Sequence, residues 1–334
     1  MHAFFSDCPH HRAGPEEYNG GVYHTPILVN EVVNYLQPSP KTLILDGTLG
    51  GGGHSSSLLR NGASVIAVDQ DPEAITYAKE RLVYYGPRIR IVQDNFRRIR
   101  HILCSLDVCG LDGAILDVGV SSHQLETPNR GFSILKNGPL DMRMDPLTPI
   151  SAADIVNTAS LSELAHIFYE YGQEPHAFRI ASRLVALRTR RPISTTLDLV
   201  SIVKSVVSPR YRHDLRRPVT RVFQALRIAV NDELGALQEG LSAISSHLSY
   251  GARFTVITFH SLEDRIVKHF FRRGSMKWIH CLTWPAPRPN PQRIFRLLTP
   301  RPIKASKEEV RNNPRASSAK LRVVESILGM QEDR

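Results

Sequence analysis

The sequence predicts an α/β fold built on a doubly wound, mostly parallel sheet that is interrupted by a small helical domain. Three observations predict it. Short apolar runs alternate with helical patterns from Thr42 to Asp117, an acidic residue stands at or just after the end of each run, and the alternation stops after Gly131 to resume near Arg253. Strands buried on both faces read as continuous apolar runs, and spacers of roughly ten to fifteen residues fit crossover helices.

Taken in order, residues 1–21 read as a poorly ordered tail, in which His2, Cys8, His10 and His11 are metal-capable by type alone. Runs at 43–45, 65–68, 89–92 and 114–116 read as four strands, closed by Asp46, Asp69, Asp94 and Asp117. Ligands of open parallel sheets bind beyond the carboxyl ends of the strands, so these four carboxylates should gather at a site. Taken singly, each is equally well a turn former. Residues 151–207 then read as several short helices, one carrying Arg179, Arg183 and Arg190 along a face. From Val222 to Leu248 the apolar spacing is that of one or two amphipathic helices, expected to pack on the sheet. Residues 253–261 read as a fifth strand. Six prolines among Arg and Lys make residues 284–304 an extended basic arm, and residues 321–325 read as a last strand. The expected organisation is a tail at 1–21, a sheet domain at 22–132 and 216–334, and an inserted helical domain at 133–215.

Composition limits the function classes. Four scattered cysteines do not make a disulfide framework, no apolar run is long enough to span a bilayer, and the start lacks the pattern of a signal peptide; a reducing cytoplasm is the expected compartment. The net charge of +10 is unevenly placed. Residues 1–150 carry 13 Lys/Arg against 16 Asp/Glu, while 176–227 carry 12 against 2 and 265–322 carry 15 against 2. Clustered Arg suits phosphate neutralisation and base stacking, so a nucleic acid is the expected partner of the basic segments.

The loop Gly47-Thr-Leu-Gly-Gly-Gly-Gly-His54 lies between a strand and a helix, where glycines let the backbone approach a ligand. Its spacing fits neither common nucleotide loop: Ser55 and Ser56 stand where a dinucleotide fingerprint needs a third glycine or alanine, and Gly53-His-Ser replaces Gly-Lys-Ser/Thr. Asp46 ahead of the glycines opens an Asp-x-Gly-x-Gly loop of the methyltransferase type, and Asp69 ends the second strand where ribose hydroxyls can donate to it. An adenosyl cofactor is the reading these features share. Methyl transfer from a sulfonium rests on alignment, whereas methylating a pyrimidine carbon needs a cysteine nucleophile; Cys8, Cys104, Cys109 and Cys281 do not stand at strand ends. An amino nitrogen or hydroxyl is therefore the expected acceptor. Asp117 fits a hydrogen bond from an exocyclic amine or from the cofactor, and equally a simple turn. Ser261 and Asp264 read as a helix capping box, with His260 at the ligand edge; Asp141, Arg143 and Asp145 read as an ion-pair cluster.

Ordered motifs carry a resemblance: His24-Thr-Pro-Ile-Leu, Asp46-Gly-Thr-Leu-Gly-Gly-Gly-Gly-His-Ser55, Leu116-Asp-Val-Gly-Val-Ser-Ser122, Arg130-Gly-Phe-Ser133, Gly138-Pro-Leu-Asp-Met-Arg-Met-Asp145, Thr220-Arg-Val-Phe-Gln-Ala-Leu-Arg-Ile228, Phe259-His-Ser-Leu-Glu-Asp-Arg-Ile-Val-Lys268 and Asn313-Pro-Arg-Ala-Ser-Ser-Ala-Lys-Leu-Arg322. Over about residues 22–325 the chain resembles the bacterial small-subunit ribosomal RNA (cytosine-N4)-methyltransferase family, RsmH or MraW. The resemblance implies a Rossmann-like class I methyltransferase that uses S-adenosyl-L-methionine to methylate the N4 amine of one decoding-region cytidine of 16S ribosomal RNA, with the small ribosomal subunit as partner. It implies cofactor contacts at Gly52, Gly53, His54, Asp69, Phe96, Asp117 and Gln124. Asp117 and, second, Asp141 are then the expected catalytic residues, with Arg143, Arg221, His260 and Ser261 toward the substrate. No metal, membrane or DNA is expected, and monomer and homodimer both stay open. A DNA amino-methyltransferase would carry Asp/Asn-Pro-Pro-aromatic after the fourth strand, where this chain has Asp117-Val-Gly-Val; a non-catalytic RNA-binding protein would be expected to have lost the glycines or Asp69. The chain departs from the family at His123, where a proline is usual.

Overall fold

Alternation decides which face of the sheet each side chain meets. The computed structural model describes residues 25–207, 216–280 and 283–328. In it β1 (Leu43–Asp46), β2 (Ser64–Asp69), β3 (Ile89–Gln93), β4 (Leu111–Asp117) and β5 (Leu248–Thr258) run parallel. Ile44, Val65 and Ala67 point to one face and Leu45, Ile66 and Val68 to the other, all at most 1% exposed. The first face is covered by α1 (Val29–Leu36), α2 (Gly53–Arg60) and α3 (Pro72–Leu82); the second by α4 (Ile99–Ser105), α11 (Glu233–Ser245) and α12 (Ser261–Ser275). Each fully buried Leu or Ile contributes about 1.5–3 kcal/mol relative to exposure, so both faces are strongly held.

The sheet order is β3-β2-β1-β4-β5-β9-β8, with β9 (Lys320–Ser326) antiparallel to β5 and β8 (Phe295–Leu297) antiparallel to β9. The expected last strand is thus present. The proline-rich segment is extended as expected where it forms β8, but it is not a free arm there: β8 joins the sheet edge and its Phe295 is fully buried against Phe271 and Phe270. Before it, β6 (Trp278–Ile279) and β7 (Arg288–Pro289) make a separate two-stranded hairpin. One more short helix, α13 (Lys307–Asn312), precedes β9.

Between β4 and β5 stands a helical unit. A short α5 (Ser122–Glu126) opens it, followed by α6 (Ala152–Thr158), α7 (Leu161–Glu170), α8 (Ala177–Arg188), α9 (Thr196–Val206) and α10 (Arg216–Asn231). Its apolar core runs from Phe132 through Val156, Phe168, Leu184 and Val203 to Leu226 and Val230. Helix α10 therefore packs within the helical unit, and only α11 returns to the sheet as the amphipathic pattern from Val222 onward had suggested for both. The reason is local: Val219, Val222, Phe223 and Leu226 form one buried stripe, and the facing groove is made by α7 and α9. Residues 1–24, with the histidines and cysteine of the tail, lie outside the described residues. Among the described residues no helix is long and apolar enough to cross a membrane.

Candidate active site

The carboxyl ends of β1, β2 and β4 open on a cleft walled by Pro26, residues 47–50, Gly53, His54, Asp69, Phe96, Asp117–Ser121 and Gln124, and on the far side by Met144, Asn231, Glu233, Phe259 and Glu263. The glycine loop holds its shape because Asp46, almost fully buried, accepts from Thr48 N (3.2 Å) and Ser55 Oγ (2.7 Å). Burial pushes the Asp46 carboxyl up, against the pull of His54, Ser55 and Thr48. Gly53 packs so tightly under Pro26 that a Cβ would come within 2.6 Å of the proline ring. Gly52 does not face the cleft; its left-handed backbone (φ 75°) starts α2 and turns it toward Leu82.

Asp69 accepts from Gly50 N (2.7 Å) and Asp71 N (2.9 Å), so it ties the loop to the start of α3 while facing the cleft. Burial pushes its carboxyl up to about 6, with Asp71 and Asp46 adding in the same direction and the two amide bonds opposing. Asp117 is reached by Thr48 Oγ1 at its amide (2.6 Å) and by His54 Nε2 at its carboxylate (3.4 Å). Burial works against a charge on His54, yet Asp117, Asp46 and Glu309 together hold its pKa above that of an ordinary histidine. A histidine and a carboxylate side chain, each under a tenth exposed, thus meet at the end of β4.

Gln124 is the third residue of α5 in a reciprocal cap with Ser121, and its amide donates to Asp71 Oδ2 (2.7 Å). The same oxygen accepts from Arg130 Nη1 (2.8 Å), whose other nitrogen binds the carbonyls of Arg143 (3.1 Å) and Met144 (2.9 Å). Asp71 and Arg130 were not singled out as site residues, yet they carry the wall that Gln124 belongs to. The local signals were Asp71-Pro72-Glu73, a helix start, and the motif Arg130-Gly-Phe-Ser133. His123, at the position of the family proline, holds α5 to α3 through Glu73 (2.7 Å).

The other expected residues stand away from the cleft wall. Asp141 is engaged by Arg143 through Nε (2.9 Å), Nη2 (2.7 Å) and the backbone amide (3.0 Å), and although burial opposes it, Arg143 holds the carboxyl below its usual range. Arg143 also donates to the carbonyls of Pro146 and Thr148. Arg221 on α10 pairs with the buried Glu174 at 3.6 Å inside the helical unit, whereas Ser261 donates to Gln173 Oε1 at 3.0 Å across the seam between that unit and the sheet. The cap of α12 is one residue earlier than expected. His260 and Glu263 form it, Glu263 accepting from the amides of Phe259 and His260, because Glu263 rather than Asp264 points back to the strand end; Asp264 instead binds Lys320 and Arg322. His260, Glu263 and Glu233 bring ligand-type atoms within 4.8 Å of one another, a grouping the sequence did not reveal. A cation is already there, since Arg227 grips Glu233 through two bonds of 2.7 and 2.8 Å.

Residues 21–327 match the model of the MraW methylase family. The chain belongs to that family. Curated relatives named ribosomal RNA small subunit methyltransferase H include one from Geobacter sulfurreducens, 47% identical over 313 residues (91% of this chain, 99% of the relative), and one from Carboxydothermus hydrogenoformans, 44% identical over 305 residues (91% and 98%). A solved putative rRNA methylase from Clostridium thermocellum aligns at 10% identity with a TM-score of 0.42, over 91% of this chain and 99% of that one. The chain is thus a methyltransferase, and its methyl donor is S-adenosylmethionine. The cleft fits that donor. It offers a carboxylate at the end of β2 for ribose hydroxyls, an aromatic face at Phe96, and a buried His54 whose Nδ1 has no hydrogen-bond partner among the described residues.

Proposed function

We propose that this chain methylates the exocyclic N4 amine of one cytidine in the decoding region of 16S ribosomal RNA, acting in the cytoplasm on the small ribosomal subunit. The family and the relatives' names support the substrate. The observation that carries the chemistry is a buried strand-end carboxylate, Asp117, on a cleft whose wall, among the described residues, contains no cysteine. Of the cysteines, Cys104 and Cys109 are exposed and line no part of it, and Cys8 and Cys281 fall outside the described residues.

When bound, S-adenosylmethionine supplies a methyl group on a sulfonium centre. Gly53, His54, Asp69, Phe96 and Gln124 would hold it, with Asp69 taking the ribose hydroxyls and Gly52 setting the loop. The target base leaves its stack and enters beside Gly119, where a Cβ would stand 3.3 Å from the Phe259 ring. Asp117 accepts a hydrogen bond from N4, turning the nitrogen lone pair toward the methyl carbon, and then takes the proton that the new N–CH₃ bond displaces. His54 Nε2 stands 3.4 Å from the Asp117 carboxylate. Alignment supplies most of the rate, as expected where no covalent intermediate is formed. Asp141 stays an alternative proton acceptor only after movement away from Arg143.

The test is transfer of labelled methyl to small subunits from an unmodified strain, followed by nucleoside analysis. N4-methylated cytidine is the expected product, and label in any other nucleoside overturns the reading. Asp117→Ala should bind the donor but lose at least a hundredfold in rate; near-full activity in that variant removes Asp117 from the mechanism.

A further inference from the structure

The chain contains two tryptophans, Trp278 and Trp284, and both stand on the β6–β7 hairpin, outside every apolar core. Trp278 is 52% exposed, although a large aromatic side chain is ordinarily well buried. Arg288 lies over the Trp284 ring at 4.6 Å, and Lys277, His280 and Arg288 are exposed around the pair. Between Asp264 and Glu308 the sequence has no carboxylate and eleven Lys or Arg. The hairpin is nonetheless anchored: buried Asn290 donates through Nδ2 to the carbonyls of Arg273 and Met276 (both 2.9 Å) and through its amide to Lys277 O (3.0 Å). It is therefore carried on the end of α12, whose first turn contributes Glu263 to the cleft. Fifteen helical residues set the two ends roughly 22 Å apart.

Aromatic rings beside guanidinium and ammonium groups, with no acid to repel phosphate, are the elements of a single-strand platform, where bases stack on rings and the backbone meets positive charge. We infer that the β6–β7 hairpin is a stacking site for an unpaired segment of the substrate RNA, distant from the methylated base. The inference rests on the functional reading above. Its role is to hold the RNA so that the target cytidine is delivered to the cleft with less freedom.

Because both tryptophans are on the hairpin, intrinsic emission of the full chain reports on this surface alone. Titration with a single-stranded oligoribonucleotide of decoding-region sequence should quench it. Trp278→Ala and Trp284→Ala should each weaken RNA affinity roughly tenfold, Trp278→Phe should keep most of it, and calorimetric binding of S-adenosylhomocysteine should not change in any of them. Equal RNA affinity in wild type and both alanine variants overturns the inference while leaving the function intact, as does emission that responds to RNA-free small-subunit proteins and not to RNA. A wild-type chain that binds the donor product but no RNA overturns both.

Discussion

Asp69 meets the cleft with both oxygens already accepting from the backbone, and with a pKa raised to about 6 by burial. Ribose hydroxyls donate much more strongly to it when it is ionised. The sign follows directly: below pH 6 the free protein must first lose a proton, so donor affinity falls as pH falls. At pH 5 about one tenth of the carboxylate is ionised, and affinity should be about tenfold weaker than at pH 7.5, one pH unit being tenfold in the equilibrium. Calorimetry at the two pH values checks this, with circular dichroism to verify that the fold persists. Asp69→Asn should bind weakly and without that slope; a wild-type affinity flat from pH 7.5 to 5 removes Asp69 from the ribose contact. The strand-end position made Asp69 legible in the sequence. Its pKa was not, because it comes from Asp46, Asp71 and the surrounding burial, which only the fold brings together.

At the scale of elements, the cleft depends on residues that never touch a ligand. Gly240 on α11 sits under Phe96, and an added Cβ would fall 2.4 Å from the ring. Gly240→Ala should displace Phe96 and weaken donor binding about tenfold with little loss of helix content, since alanine favours a helix; undiminished affinity would show that Phe96 is not a contact. Arg130 is the stronger case. It is 7% exposed and joins Asp71, the N-cap of α3, to the carbonyls of Arg143 and Met144 at the edge of the helical unit. Arg130→Ala leaves Asp71 buried without its cation, a loss of about 3–5 kcal/mol, read as a fall in Tm of roughly 4–7 °C. Double replacement of Arg130 and Asp71 by Met and Leu should recover part of it. Runs of apolar residues made the strands legible, each being decided within its own few residues. Arg130 and Asp71 are 59 positions apart, and the α10 stripe has the same periodicity whichever core it joins, so neither was readable before the fold assembled them.

Across the whole molecule, charge is sorted by task. The first 150 residues, acidic in balance, surround the donor cleft with Asp46, Asp69 and Asp117, while exposed Arg179 and Arg183 on α8 and the carboxylate-free stretch after Asp264 both follow later in the chain. A donor that is itself cationic favours the first environment, and a polyanion favours the second, so the two ligands need not compete for the same field. RNA affinity should therefore fall steeply with salt, each neutralised phosphate adding about 0.7–0.9 to the slope of log affinity against log salt. Arg179→Gln with Arg183→Gln should lower that slope by roughly one to two and weaken binding of the small subunit at low salt, while S-adenosylhomocysteine affinity stays within twofold of wild type. A slope unchanged by the double replacement would assign α8 to a solvated face and leave the basic segment after α12 as the main grip on RNA. A flat dependence in the wild type would sink the electrostatic account altogether.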